Sequence, residues 1–305
     1  MRRFLTLVSG AAVLGAASLG VVIAWPVGSA VTPIAIEGNV DRGAYLARAS
    51  GCIACHTNFE AGGAPLAGGA PLETPFGTFY PPNLTTDPEH GMGEWTAEQF
   101  AKAMRQGIGP DGTPYYPSFP YTFYADFSDQ DIADLWAAFQ TVQPVDKPAP
   151  ENDVSFPFDQ RWGLKLWRAA FFYDPDTEPV EGRSDSWNRG RELVRGAAHC
   201  GACHTPRNLA GGRDIGASFA GNAQLPGGSK APAIRPKDLV KNDWTVSNLA
   251  YALQTGITPS GDAFGGSMAE VVREGTRFLT PADREAMALF LLNKDTVEAE
   301  NPASN

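Results

Sequence analysis

Cys52-Ile53-Ala54-Cys55-His56 and, 148 residues later, Cys200-Gly201-Ala202-Cys203-His204 are the stretches that decide how this chain folds. Each reads C-x-x-C-H. Two thiols this far apart on one helical turn can each add to a vinyl group of a haem, and the histidine after them is then held under the iron as proximal ligand. The spacing predicts two covalently bound haems c, anchored by Cys52 and Cys55 and by Cys200 and Cys203, with His56 and His204 on the irons. The chain has 4 cysteines and the motifs use them all, leaving none for a disulfide or a reactive thiol. A redox dithiol or half of a zinc site accounts poorly for two full copies, each with its histidine and no spare ligand cysteine.

Working outward from the motifs, the same parts recur on either side. Asp41-Arg42-Gly43-Ala44-Tyr45-Leu46 opens a short helix that runs into the first motif, and Gly43 sits where another helix can approach closely. Its expected neighbour is the helix that Ser128 caps with Asp131 and that continues through Ile132, Leu135, Trp136 and Phe139. Between them, Ala61 to Pro82 carries Gly at 62, 63, 68, 69 and 77 and Pro at 65, 71, 75, 81 and 82, a composition that predicts an ordered loop around a haem edge rather than helix or strand. Trp95 to Gln106 reads as a further helix capped by Thr96. The second half repeats this order. Gly190 precedes the motif, a glycine-rich wrap runs from Ala210 to Gly228, and a helix follows Trp244. A closing helix starts at Thr280-Pro281-Ala282-Asp283 and turns Met287, Phe290 and Leu291 inward. Crossing of first and last helices beside a haem is the layout of class I cytochromes c. The expected fold is therefore mainly α, two tandem class I cytochrome c domains behind an N-terminal signal or anchor helix. The expected boundaries are 1–30 for the leader, 38–143 for domain 1, 144–183 for a linker with an amphipathic helix, 184–297 for domain 2 and 298–305 for a polar tail.

The repeat also serves as a ruler. Aligning Trp95 on Trp244 gives an offset of 149, which carries Gly107 onto Gly256, Pro110 onto Pro259 and Gly112 onto Gly261 without a gap. Followed forward, it sets Gly265-Gly266-Ser267-Met268 opposite Tyr116-Pro117-Ser118-Phe119. A methionine on a loop 64 residues after the proximal histidine stands where a class I cytochrome c supplies its distal thioether ligand, so Met268 is the expected distal ligand of the second haem. Phe119 cannot ligate iron. Three substitutes stand in the first half: Met104, which aligns with Leu253 inside a helix and reads as core, and His90 and Met92 in a loop expected at the surface. The first haem is otherwise five-coordinate or weakly held, which would lower its potential relative to the second.

The formal net charge is −10, from 24 basic and 34 acidic side chains. Arg2 and Arg3 lie in the leader and no acid precedes Glu37, so the remainder holds 22 basic against 34 acidic groups, a net of −12 before any haem propionate is counted. That sign excludes nucleic acid as a partner and favours basic docking patches. Met1-Arg2-Arg3 followed by an uncharged run from Phe4 to Trp25 is an export signal that places the rest outside the cytoplasm. Its 22 residues suffice to span a bilayer as an anchor, while Gly28-Ser29-Ala30 offers a cleavage site. Between the halves, prolines at 144, 148 and 150 mark an extended linker. In the helix that follows, Arg161, Lys165 and Arg168 share one face. This helix is expected to pack between the two haem domains, with a membrane surface as its alternative resting place.

Three segments carry a resemblance: Thr74-Pro75-Phe76-Gly77-Thr78; Asn83-Leu84-Thr85 with Asp87-Pro88; and His199-Cys200-Gly201-Ala202-Cys203-His204-Thr205-Pro206-Arg207-Asn208. They resemble the cytochrome c subunits of bacterial membrane-bound alcohol, gluconate, sorbitol and aldehyde dehydrogenases, and the likeness spans about 38 to 297. It implies a dihaem c-type cytochrome on the periplasmic side of the inner membrane, anchored or soluble after cleavage. Such a subunit would take electrons from a periplasmic dehydrogenase and pass them to quinone, another cytochrome or an oxidase of the respiratory chain. The rival expectation is a dihaem redox enzyme, peroxidase-like or thiosulfate-oxidising, working at an open first haem. Against it, Tyr115-Tyr116-Pro117-Ser118-Phe119-Pro120-Tyr121 offers no carboxylate for acid–base work.

Overall fold

The computed structural model describes residues 20–297. Helix α1 (Val40–Ala49) is capped by the Asn39 side chain, which accepts from the Arg42 N–H. It stops at Ser50, and Gly51, in the left-handed region at φ +65°, redirects the chain into α2 (Cys52–His56). The helix and the motif are therefore two elements where the sequence suggests one. Helix α3 (Ala97–Gln106) starts on a capping box of Thr96 with Gln99, and α4 (Asp129–Phe139) on one of Ser128 with Asp131.

Helices α1 and α4 cross at Gly43, where a Cβ would land on the Asp134 carbonyl oxygen. The close approach is locked from outside. Arg42 grips the Asp134 carboxylate through two hydrogen bonds of 2.7 and 3.0 Å, and the same carboxylate accepts from the Asn39 N–H at 2.6 Å. Behind the crossing lies a core of Phe100, Met104, Ile132, Leu135 and Phe139. Each such buried side chain contributes about 1.5–3 kcal/mol relative to exposure.

The second half builds the same crossing from α6 (Asp185–Arg195) and α11 (Pro281–Leu292). Between them come α7 (Gly201–His204), α8 (Pro236–Lys241), α9 (Val246–Thr255) and α10 (Gly266–Glu274). A Cβ on Gly190 would land on the Ala286 carbonyl oxygen, and Arg189 holds Asp283 through bonds of 2.9 and 3.1 Å. The acid stands one helical turn earlier relative to the crossing glycine than in the first half. Val194, Leu249, Leu253, Met287 and Leu289 fill this core, and Thr280 caps α11 by accepting from the Asp283 N–H.

The proline- and glycine-rich segment after the first motif is not wholly a loop. It contains strands β1 (Leu72–Thr74) and β2 (Gly77–Phe79), which pair antiparallel. The linker supplies β3 (Asp153–Val154) against β2, giving the order β1-β2-β3. Gly77, at φ +134°, passes so close to the Asp153 carbonyl that no side chain fits. Strands this short lie below what composition reveals, and the third comes from a segment that reads as spacer.

Helix α5 (Gly163–Phe171) touches both halves. Phe171 covers Gly212, Trp167 Nε1 donates to the Ala210 carbonyl at 2.8 Å, and Arg168 lies over the Tyr121 ring at 5.0 Å. Lys165 points elsewhere, donating to the Ile23 and Trp25 carbonyls at 2.6 and 2.7 Å. Most of the Phe4–Trp25 run and the tail beyond Val297 lie outside the described residues. Among those described, no helix is long and apolar enough to cross a membrane.

Candidate functional site

Each C-x-x-C-H stretch is a single turn of helix, α2 and α7, so its two cysteines and its histidine are fixed relative to one another by one hydrogen-bonded unit. In both copies the histidine has the same second partner. His56 Nδ1 lies 2.7 Å from the Pro82 carbonyl, and His204 Nδ1 lies 2.7 Å from the Pro232 carbonyl. A carbonyl oxygen can only accept, so Nδ1 carries the hydrogen in each ring and Nε2 keeps its lone pair for a metal. Burial pushes His56 down to about 4 and His204 in the same direction, so both imidazoles are neutral at physiological pH.

The thiols shift the opposite way. Desolvation drives Cys52 and Cys200 up to about 12 each. An activated dithiol needs a lowered thiol pKa, so these pairs do not suit disulfide exchange. Among the described residues no group of three or more Cys, His, Asp and Glu is placed to hold a bare metal ion, which leaves a zinc site without ligands. Four free thiols in pairs, each pair beside an oriented neutral imidazole, fit a haem attached through thioethers.

The two motifs lie close together. Ala202, inside the second motif, packs against the same core as Cys52 and Ile53 of the first. Helix α10 also lies against α2, with Glu270 near the Cys55 thiol and Arg273 over the Phe59 ring at 5.9 Å.

The distal candidates divide differently from the sequence expectation. Met268 is not on a loop: it sits in the first turn of α10, half-buried against the second-half core. Gly265 occupies the N-cap position in extended geometry and the helix begins at Gly266, so the flanking glycines mark a helix start rather than a loop. Met92 is not at the surface either; it is 2% exposed inside the first core. The Asp87 carboxylate accepts from the Glu89 and His90 N–H groups, and the Met92 N–H donates to the Thr85 carbonyl at 2.8 Å, so the loop curls the thioether inward. Met104 lies in that core as well. His90 pairs with Asp146 at 3.5 Å. Phe119 joins an aromatic cluster with Tyr115, Tyr121 and Tyr124 at centroid distances of 6.1, 6.2 and 5.8 Å.

Sequence reasoning missed Pro82 and Pro232, which contribute only backbone oxygens and lie 26 and 28 residues after their histidines, out of step with the 149-residue ruler. It also missed Tyr124 and its meeting with His199 across the two halves, which no local pattern announces.

A family model described as cytochrome c matches residues 40–140. The chain is 40% identical to a protein of Cereibacter sphaeroides described as diheme cytochrome c-type, over 98% of this chain and 100% of that one. It is 39% identical to the cytochrome c subunit of a quinone alcohol dehydrogenase of Gluconobacter oxydans, over 92% of this chain and 60% of that subunit. The fructose dehydrogenase cytochrome subunit of Gluconobacter japonicus is 39% identical over 83% of this chain and 52% of its own length. The chain thus spans the whole of the first relative and little more than half of the other two.

Proposed function

This chain belongs to the family of c-type cytochromes that includes the cytochrome c subunits of alcohol, fructose and gluconate dehydrogenases, and on that premise we propose that it is a dihaem electron relay on the periplasmic side of a bacterial inner membrane. In this reading it comprises two tandem class I domains, 38–143 and 184–297, joined by the 144–183 linker. Residues 1–30 serve as signal peptide or anchor. Electrons enter from a dehydrogenase and leave to quinone, a cytochrome or an oxidase.

The observation that carries the reading is the pair of Cys-x-x-Cys-His turns, each with its histidine tied by Nδ1 to a proline carbonyl, both packed against one core. Cys52 and Cys55 would hold one haem c and Cys200 and Cys203 the other, with His56 and His204 as proximal ligands and Met268 as distal ligand of the second. When bound, these groups supply one-electron carriers, and the chain needs no nucleophile or general base of its own. The protein's part is to fix the imidazoles, exclude water behind the two cores and hold both turns in one frame. The acidic surface suits a partner with basic docking residues.

The test begins with tagged protein purified from solubilised membranes together with whatever dehydrogenase accompanies it. Alcohols, aldoses, aldonates and aldehydes are then added in turn while the haem bands are followed. Reduction of the haem bands by one substrate class supports the relay. Rapid peroxide consumption by the isolated protein, with no substrate reducing the copurified complex, would favour the enzyme reading instead.

A further inference from the structure

Tyr124 stands at the meeting point of the two motifs. It is 2% exposed, and its hydroxyl donates to the carbonyl of Ser50 at 3.1 Å, two residues before Cys52. On the other side the same oxygen lies 3.4 Å from Nδ1 of His199, the residue immediately before Cys200. His199 Nδ1 is also 2.9 Å from the Ala197 carbonyl, which can only accept, so this nitrogen carries the hydrogen and directs it between that carbonyl and the tyrosine oxygen. The polar chain runs from His199 through Tyr124 to Ser50, tying the entry of one motif to the entry of the other.

Packing follows the same line. The His199 ring meets Tyr124 edge-on at 5.9 Å between centroids and lies 6.0 Å from Phe123. A Cβ on Gly51, the residue before Cys52, would sit 3.6 Å from His199 Cε1, and one on Gly201 would sit 3.5 Å from Phe123. His199 holds this position at φ +37°, a conformation that costs a non-glycine residue and persists only where its surroundings over-determine it.

We propose that Tyr124 and His199 form the junction between the two redox sites: they are positioning residues that fix the separation and orientation of the two haem-attachment turns and so set the rate of electron exchange within the molecule. The inference rests on the dihaem reading above. The exchange it supports moves one electron from the ferrous iron of one site to the ferric iron of the other, with no other atom transferred. Both act through the chain that leads into the cysteines, Tyr124 by its bond to Ser50 and His199 as the neighbour of Cys200.

The test uses the purified holoprotein. Intact mass and the pyridine haemochrome spectrum first count covalent haems per chain; fewer than two defeats the dihaem reading before the junction is addressed. Brief photoreduction in substoichiometric amount then follows how fast the electron redistributes between the sites. Tyr124→Leu and His199→Ala are expected to slow redistribution severalfold, because electron tunnelling falls off exponentially with the separation of the two sites. Tyr124→Phe keeps the ring, loses the polar chain, and is expected to give a smaller fall together with a broader distribution of iron–iron distances by pulsed EPR. Phe139→Leu, in the same core but away from the junction, controls for general loosening and should leave the rate unchanged. Should Tyr124→Leu fail to fold, His199→Ala and Tyr124→Phe decide the matter. Full haem content with unaltered rate and distance distribution in those two would overturn the junction, as would an equal slowing in Phe139→Leu.

Discussion

The two halves share a plan around the C-x-x-C-H turns and part company in the segment after their third shared helix. Each presents a one-turn C-x-x-C-H helix, a histidine held by a proline carbonyl, and a glycine crossing locked by an arginine–aspartate pair. After the third shared helix, α3 or α9, the second half runs into α10 with Met268 in its first turn. The first half has Pro117 and Pro120 around Phe119, and only the short 3-10 turn Tyr121–Phe123 fits before α4. A backbone scaffold built from close helix contacts is hard to vary piecemeal, whereas the segment facing it is free to change. On the dihaem reading, the two halves keep one scaffold under the proposed haems and differ in the segment that would supply a distal ligand.

The sharpest way to separate the halves is to remove one attachment. Cys200→Ser with Cys203→Ser is expected to lower covalent haem from two per chain to one by intact mass, leaving the first site loaded. Next in size is the crossing, where the halves should respond alike. Gly43→Val and Gly190→Val each force a side chain into a carbonyl oxygen, and each should cost at least about 3 kcal/mol in urea unfolding. A large loss for one and none for the other would break the structural parallel.

The distal difference comes third. Met268→Leu is expected to lower one midpoint potential by on the order of 100 mV in a spectroelectrochemical titration, because loss of a thioether removes its preference for ferrous iron. Phe119→Leu should leave both potentials nearly in place. The smallest effect concerns pH. Hydrogen bonding to the Arg42 guanidinium holds the Asp134 carboxyl below its ordinary range. The stability contributed by this pair is therefore complete above the ordinary carboxylate pKa of about 4 and is lost as the pH falls through Asp134's lower folded-state value. Asp134→Asn should flatten that acid limb of the stability profile without moving the haem spectra.

Much of this scaffold can be read in the chain because it is written locally. Thr96, Ser128 and Thr280 announce helix starts by side chains three residues from their partners, and Gly43 and Gly190 stand out within otherwise helical stretches. The cysteine and histidine spacing names the cofactor outright. What stays hidden depends on backbone atoms or distant partners. The proline carbonyls that orient His56 and His204 are backbone groups that any residue could supply, β3 pairs with a strand far earlier in the chain, and Tyr124 meets His199 across a similar gap. Met92 and Met268 mislead for the opposite reason. Glycines near both suggest loops, but one sits in a tight turn that folds inward and the other begins a helix.

The most direct test of a relay between two unlike sites is to count methionine-ligated haems in the oxidised protein by EPR together with near-infrared magnetic circular dichroism. The account predicts one histidine–methionine signature, absent from Met268→Leu, because Phe119, which cannot ligate, stands in the first half where Met268 stands in the second. Two such signatures, or one that survives Met268→Leu, would contradict it.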